Sequence, residues 1–198
     1  MNAPKKLGEC VDLPTEIRSC RACAGLLPFE PRPLVQLSPT ARILIVSQAP
    51  GRIAHATGIT FDDASGARLR DWLNVSRELF YDPTVFAIAA MGFCYPGRGG
   101  AGDAPPRPEC ALLWRTRVEE YLSNIRLTLL VGIHAQNHYL GRGQMTERVK
   151  NFEQFLPRFF PLPHPSWRTT SWMSRNPWFE GRVLPSLRAQ IDGALPGG

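Results

Sequence analysis

The sequence predicts an α/β fold, a three-layer α/β/α sandwich built on a central four-stranded parallel sheet. Three apolar runs lead there first: 42–47 (RILIVS), 85–91 (VFAIAAM) and 127–131 (LTLLV). Each is short and bounded by polar residues or glycine, the pattern of strands buried on both faces. Stretches with apolar residues at helical spacing lie between them, and this alternation implies parallel strands joined by helical crossovers that cover both sides of the sheet. A chain of 198 residues with 43% hydrophobic content can bury one core of this kind, so 1–198 reads as a single domain with 1–12 and 193–198 peripheral or flexible.

Each element follows in order. Residues 13–23 mix polar and apolar positions as a short helix, and Pro28, Pro31 and Pro33 then enforce an extended connection. The first strand, 42–47, ends at Pro50-Gly51. Ala67 to Leu73 is helical, with Leu69, Trp72 and Leu73 on one face and Ser65 placed as its cap. The second strand stops at Gly92 and the third at Gly132. Between them, Tyr95 to Pro108 is a long loop rich in Gly and Pro that needs an anchor, and Cys110 to Leu122 is helical. Helices at 134–140 and 146–155 lead to a final short strand, Phe159 to Leu162, which runs into His164-Pro165-Ser166. A last helix covers about 185–191. In open parallel sheets ligands bind beyond the carboxyl ends of the strands, where 47–51 (SQAPG), 91–94 (MGFC) and 164–166 (HPS) fall.

The net charge is +6, mostly from arginine, whose planar fork suits phosphate, so an anionic partner is expected. No apolar run approaches the roughly 20 residues of a membrane span, and no apolar leader follows the N-terminal 1–6, which predicts a cytoplasmic protein. In that reducing compartment the five cysteines are not expected to form disulfides. Cys20 and Cys23 form a C-x2-C pair, while Cys94 and Cys110 are separated by fifteen residues. Four such thiolates suit a 4Fe-4S cluster or a tetrahedral zinc, or else are plain buried thiols, and Cys10 is left over.

Together, the C-x2-C pair, a strand ending in Gln48-Ala49-Pro50-Gly51, Phe61 followed by Ser65-Gly66 and a helix, the C-x15-C pair and a late HPS resemble the uracil-DNA glycosylase superfamily. The likeness is to its iron–sulfur branches, families four and five, and covers about Cys20 to Ile191. It implies a glycosylase that extrudes a uracil, or another deaminated base, from DNA and hydrolyses its N-glycosidic bond, leaving an abasic site. It also assigns Cys20, Cys23, Cys94 and Cys110 to a structural 4Fe-4S cluster, zinc being the alternative.

The resemblance distributes roles among the loops. Gln48 and Ala49 face the base edge, Phe61 stacks on the flipped base, and Ser47, Pro50 and Gly51 cradle the backbone. His164 hydrogen-bonds the uracil O2 as negative charge grows there, an interaction that strengthens only in the transition state. Asp63, matched to the aspartate of the family-five GDRSG stretch, orients the water; Asp62 is the alternative. Ser166, Trp167 and Arg168 contact DNA where the family places its intercalating loop, with Trp172, Arg175 and Trp178 continuing an interleaving of aromatics and cations, Trp178-Phe179 being equally readable as core. No role falls to His134 or His138, and His55 is a minor candidate beside the first loop.

Two departures bear on substrate. Ala49 replaces the aspartate of the family-one first loop, and Ala90 stands where family four carries an asparagine that reads the uracil edge. A site without that polar reader should discriminate less sharply, which leaves xanthine, hypoxanthine and 5-substituted uracils open. Because no lysine lies in the matched motifs, the expected enzyme is monofunctional; separately, a monomer is expected. The rival reading is a catalytically inactive protein that binds lesions or abasic sites on the same fold.

Overall fold

Alternation along the strands decides how the layers assemble. In the computed structural model, which describes residues 12–100 and 102–195, Ile43 and Ile45 project into one apolar cluster while Leu44 and Val46 project into another. A strand with two apolar faces must be covered twice, and the rest of the chain supplies both covers.

Helix α1 (Leu13–Arg18) precedes the extended, proline-bearing connection and strand β1 (Ile43–Val46). Then come α2 (Arg52–Thr57), α3 (Ala64–Leu73), α4 (Arg77–Phe80) and β2 (Phe86–Ile88). The long Gly/Pro loop has structure of its own, a small antiparallel hairpin of β3 (Arg98–Gly99) and β4 (Gly102–Asp103). It leads into α5 (Pro108–Tyr121), β5 (Leu127–Val131), α6 (Ile133–Leu140) and α7 (Met145–Lys150). A 3-10 turn at Phe152–Phe155 precedes β6 (Phe159–Leu162), α8 (Arg168–Arg175), a π-turn at Phe179–Val183 and α9 (Leu184–Ala194).

The main sheet is parallel with order β2-β1-β5-β6, and Ile43 lies opposite Phe86 on one side and Leu127 on the other. Leu69, Trp72 and Leu73 of α3, Val149 of α7 and Leu187 and Ile191 of α9 cover the Ile43 face. Leu13 and Ile17 of α1, Trp114 and Val118 of α5 and Ala135 of α6 cover the other. This is the expected α/β/α sandwich with four parallel strands. From β1 the chain steps to β2 on one side and later to β5 on the other, so the loops after β1 and β5 splay apart and open a crevice at the strands' carboxyl ends.

Several boundaries differ from expectation. Asp63, not Ser65, caps α3: its Oδ1 accepts the Gly66 N–H at 2.9 Å, and Ser65 lies inside the first turn. Both residues are good caps, and the chain enters the helix two positions earlier. Helix α8 occupies a stretch read as a loop; its Trp172 donates Nε1–H to Thr146 at 2.9 Å and packs on Trp178 and Phe179, so these rings belong to the core rather than to a DNA face. Helix α9 extends to a buried Ala194, past the point where a peripheral tail was expected. The rest of the predicted peripheral segments, 1–11 and 196–198, and with them Cys10, lie outside the described residues. No helix among the described residues is long and apolar enough to cross a membrane.

Candidate active site

The crevice at the strand ends holds a cleft of about 400 Å³. Its first wall is the turn after β1, where Ser47, Gln48, Ala49, Pro50 and Gly51 all line the cavity. Backbone bonds to the end of β2 fix this turn: Met91 N–H donates to the Ser47 carbonyl at 2.8 Å and Gly92 N–H to the Gln48 carbonyl at 3.0 Å. The Gln48 amide is itself engaged, because Nε2 donates to the Ala104 carbonyl at 2.8 Å, leaving Oε1 as the open acceptor. Ile88 and Ala90 contribute apolar surface beside it.

The second wall is the approach to α3. Phe61 lines the cleft with φ of 55°, a left-handed conformation uncommon for an aromatic residue and a marker of functional constraint. Its carbonyl accepts from the Tyr81 hydroxyl at 3.1 Å and from Arg70 Nη1 at 3.3 Å. Gly66 is required beneath it, since a Cβ there would stand 1.8 Å from the Phe61 carbonyl oxygen. Asp63 lines the cleft while capping α3 through Oδ1. Asp62 turns away into an ion pair with Arg77 at 2.8 Å, which holds its carboxyl below the usual range. The geometry therefore favours Asp63 over Asp62 as the acid of this wall.

The third wall follows β6. His164 lies against Gly132, where an added Cβ would come within 3.4 Å of the His164 Cβ; the glycine, at φ of 86°, lets this loop close on the end of β5. The His164 carbonyl accepts from the Ser166 N–H at 2.8 Å and from the Thr169 hydroxyl, and Arg68 Nη1 of α3 donates to the Ser166 carbonyl at 2.5 Å. The second and third walls are thus tied to each other. Burial pushes the His164 imidazole below its ordinary pKa, opposed by the negative charges of Asp63 and Asp103. Ser166, Trp167 and Arg168 complete the rim. Trp167 is 77% exposed with the Arg168 guanidinium 5.4 Å from its ring centroid, a solvent-facing aromatic that nothing in the core explains.

Every cleft residue singled out by the motifs is therefore brought to one cavity. Sequence reasoning missed Asp103 of β4, an exposed carboxylate that also lines the cleft. The available signal was an acid at the end of a glycine-rich stretch, 99–103, that reads as a tight hairpin. His55 does not line the cleft; it sits against Phe29 and Tyr95 with Nδ1 buried and without a partner. His134 and His138 lie on α6, their pKa values lowered by burial.

Cys20, Cys23, Cys94 and Cys110 line a second, apolar pocket together with Leu27, Phe93, Leu113 and Trp114. Burial pushes the Cys94 thiol up to about 12 and that of Cys110 to about 11, and negative charge on the neighbouring cysteines would raise each further. Phe93 N–H donates to Cys110 Sγ at 3.3 Å. Among the described residues no three His, Cys, Asp or Glu side chains converge closely enough to chelate a single metal ion. The pocket abuts the cleft: Ala90 lines one, and Gly92, Phe93 and Cys94 line the other.

A family model described as the uracil DNA glycosylase superfamily matches residues 34–188, the span that contains every wall of the cleft.

Proposed function

The chain belongs to the uracil DNA glycosylase superfamily, and from that premise we propose that it is a monofunctional DNA glycosylase of base-excision repair. It acts on uracil or another deaminated base and leaves an abasic site. The observation that carries this reading is the convergence of 47–51, Phe61, Asp63 and His164 on one cleft at the strands' carboxyl ends.

The roles follow from chemistry. A glycosidic bond cannot be reached inside a stacked duplex, so the nucleotide must rotate into the cleft, at a cost of roughly a few kcal/mol. Trp167 at the rim fills or wedges the stack, Arg168 and Ser166 hold phosphate, and the turn Ser47, Pro50 and Gly51 holds the adjacent backbone. Phe61 stacks on the extruded base, and Gln48 Oε1 with the backbone around Ala49 meets its edge. As the bond to C1′ lengthens, electrons move onto the base and positive charge onto the sugar. His164, kept neutral by burial, donates an N–H to the base oxygen where negative charge develops, and Asp63 faces the sugar. The apolar surface at Ile88 and Ala90 offers no edge-reading group, which supports a substrate range wider than uracil.

The four cysteines fit a 4Fe-4S cluster: they share one apolar pocket, and Cys110 Sγ accepts a backbone N–H bond of the kind that tunes cluster sulfurs. Cys20, Cys23, Cys94 and Cys110 would hold it, and it would supply a covalent tie between the turn after α1 and the segment that braces 47–51, with no part in bond cleavage. Iron and acid-labile sulfide analysis, against zinc, tests this. The same reading places the protein in the cytoplasm as a monomer.

The function itself is tested with single- and double-stranded oligonucleotides carrying uracil, xanthine or hypoxanthine, followed by alkaline cleavage. Strand scission at the modified position is expected for at least one substrate. Binding to all of them with scission of none would establish the inactive lesion-binding protein instead.

A further inference from the structure

The loop after Cys94 brings to the cleft a carboxylate that no motif contains. Asp103 pairs with Arg98 across the β3–β4 hairpin, and the Gln48 amide, donating at 2.8 Å to the Ala104 carbonyl, fastens that hairpin to the first wall. Tyr95 is buried, and the Asp103 carboxylate lies near enough to help push its hydroxyl pKa up, after the larger effect of burial. A Cβ built on Gly51 would stand 3.5 Å from Asp103 Oδ2 and 3.9 Å from Asp63 Oδ2, so both carboxylates reach the same side of the first turn. Both also act on His164.

The two acids are held in different ways. Asp63 spends Oδ1 on the N-terminus of α3, which holds the carboxylate in place. Asp103 is exposed on the hairpin and caps no helix, which leaves it a route for protons to solvent. The cleft has one more acid than a charge stabiliser requires, and Ala49 supplies none from the first turn.

We infer that Asp103 is a second catalytic carboxylate, the base for the attacking water, while Asp63 stabilises the positive sugar; the inference rests on the glycosylase reading above. The C1′–N bond breaks with both electrons on the departing base. The water oxygen forms the new bond to C1′, one water proton passes to Asp103 and from there to solvent, and the base anion takes a proton from solvent. Arg168, whose Nη1 would lie 3.4 Å from a Cβ on Gly102, offsets the charge that Asp103 adds beside DNA phosphate.

The experiment compares wild type, Asp103→Asn, Asp103→Glu and Tyr95→Phe in steady-state base excision, with thermal unfolding of each as a folding check. The base role predicts that Asp103→Asn lowers kcat by about 10²–10⁴-fold with KM nearly unchanged. Asp103→Glu recovers part of that loss, and Tyr95→Phe loses less than Asp103→Asn. If Asp103→Asn keeps the wild-type kcat, or changes KM alone, Asp103 only ties down the hairpin and the inference fails while the enzyme stands. If wild type itself releases no base from any substrate, the glycosylase reading fails and the inference falls with it.

Discussion

The cleft and the cysteine pocket share the segment from Ala90 to Tyr95, yet they are held by opposite means. Around the cleft, each wall is fixed by polar bonds from remote parts of the chain: Tyr81 and Arg70 to Phe61, Arg68 to Ser166, Gln48 to Ala104. The pocket has apolar walls, four thiols and a backbone bond to Cys110. A site that must present polar groups without collapsing onto them needs a pre-built frame, whereas a site that takes a multivalent group can leave that group to complete its frame. The two regions should therefore fail differently when altered.

The largest expected effects are catalytic and belong to the cleft. His164→Ala and Asp63→Asn should each lower kcat by about 10²–10³-fold, the loss typical of one pre-organised group acting on transition-state charge. Stability should hardly move in Asp63→Asn, because asparagine caps a helix about as well as aspartate. Steady-state kinetics beside calorimetry separates the two outcomes. Wild-type kcat in both variants would assign the chemistry elsewhere.

Next comes the pocket, where the expected change is in folding. Cys110→Ala should remove about 3 kcal/mol, lowering Tm by roughly 6–12 °C for a chain of this size, with loss of bound iron. A Tm within a degree of wild type, with iron retained, would make the pocket an ordinary apolar cluster and dissolve the contrast. Smaller again is Trp167→Ala, expected to weaken DNA binding about tenfold by removing one stacking surface while Tm stays constant, as befits an exposed ring.

The smallest effect is the pH dependence of stability. Burial lowers the His164 pKa from its ordinary value of 6.5, so the unfolded chain takes up the proton first. The His164 contribution is therefore fully favourable above about pH 6.5 and is lost as pH falls toward the depressed value. His134 and His138 act in the same direction. Denaturant titrations of wild type and His164→Gln should diverge only below that pH, with the variant losing less. An identical slope in both would mean that His164 is not buried neutral.

How much of this was legible follows the same contrast. The strands were readable because residues such as Ile43 and Leu44 must be apolar on both faces, and local sequence carries that demand. The cleft turns were readable because Pro50-Gly51, Ser65-Gly66 and His164-Pro165-Ser166 are short motifs with fixed backbone needs, as the close approach of Gly66 to Phe61 shows. Asp103 was not, since a carboxylate placed by a two-residue strand has no periodicity and becomes meaningful only when Gln48 fastens the hairpin over the cleft. Helix α2 escaped for a similar reason: it has six residues and starts at Gly51 without a side-chain cap. Trp172 and Trp178 stayed ambiguous because alternating aromatics and cations look alike on a DNA face and on a helix packed to the core.

The most direct test of the account is single-turnover analysis of a uracil-containing oligonucleotide, and its xanthine and hypoxanthine counterparts, by mass spectrometry. Wild type should yield free base and an abasic strand in equal amounts from at least one of them, and His164→Ala should give the same products far more slowly. Intact strands throughout, with DNA binding preserved, would contradict it.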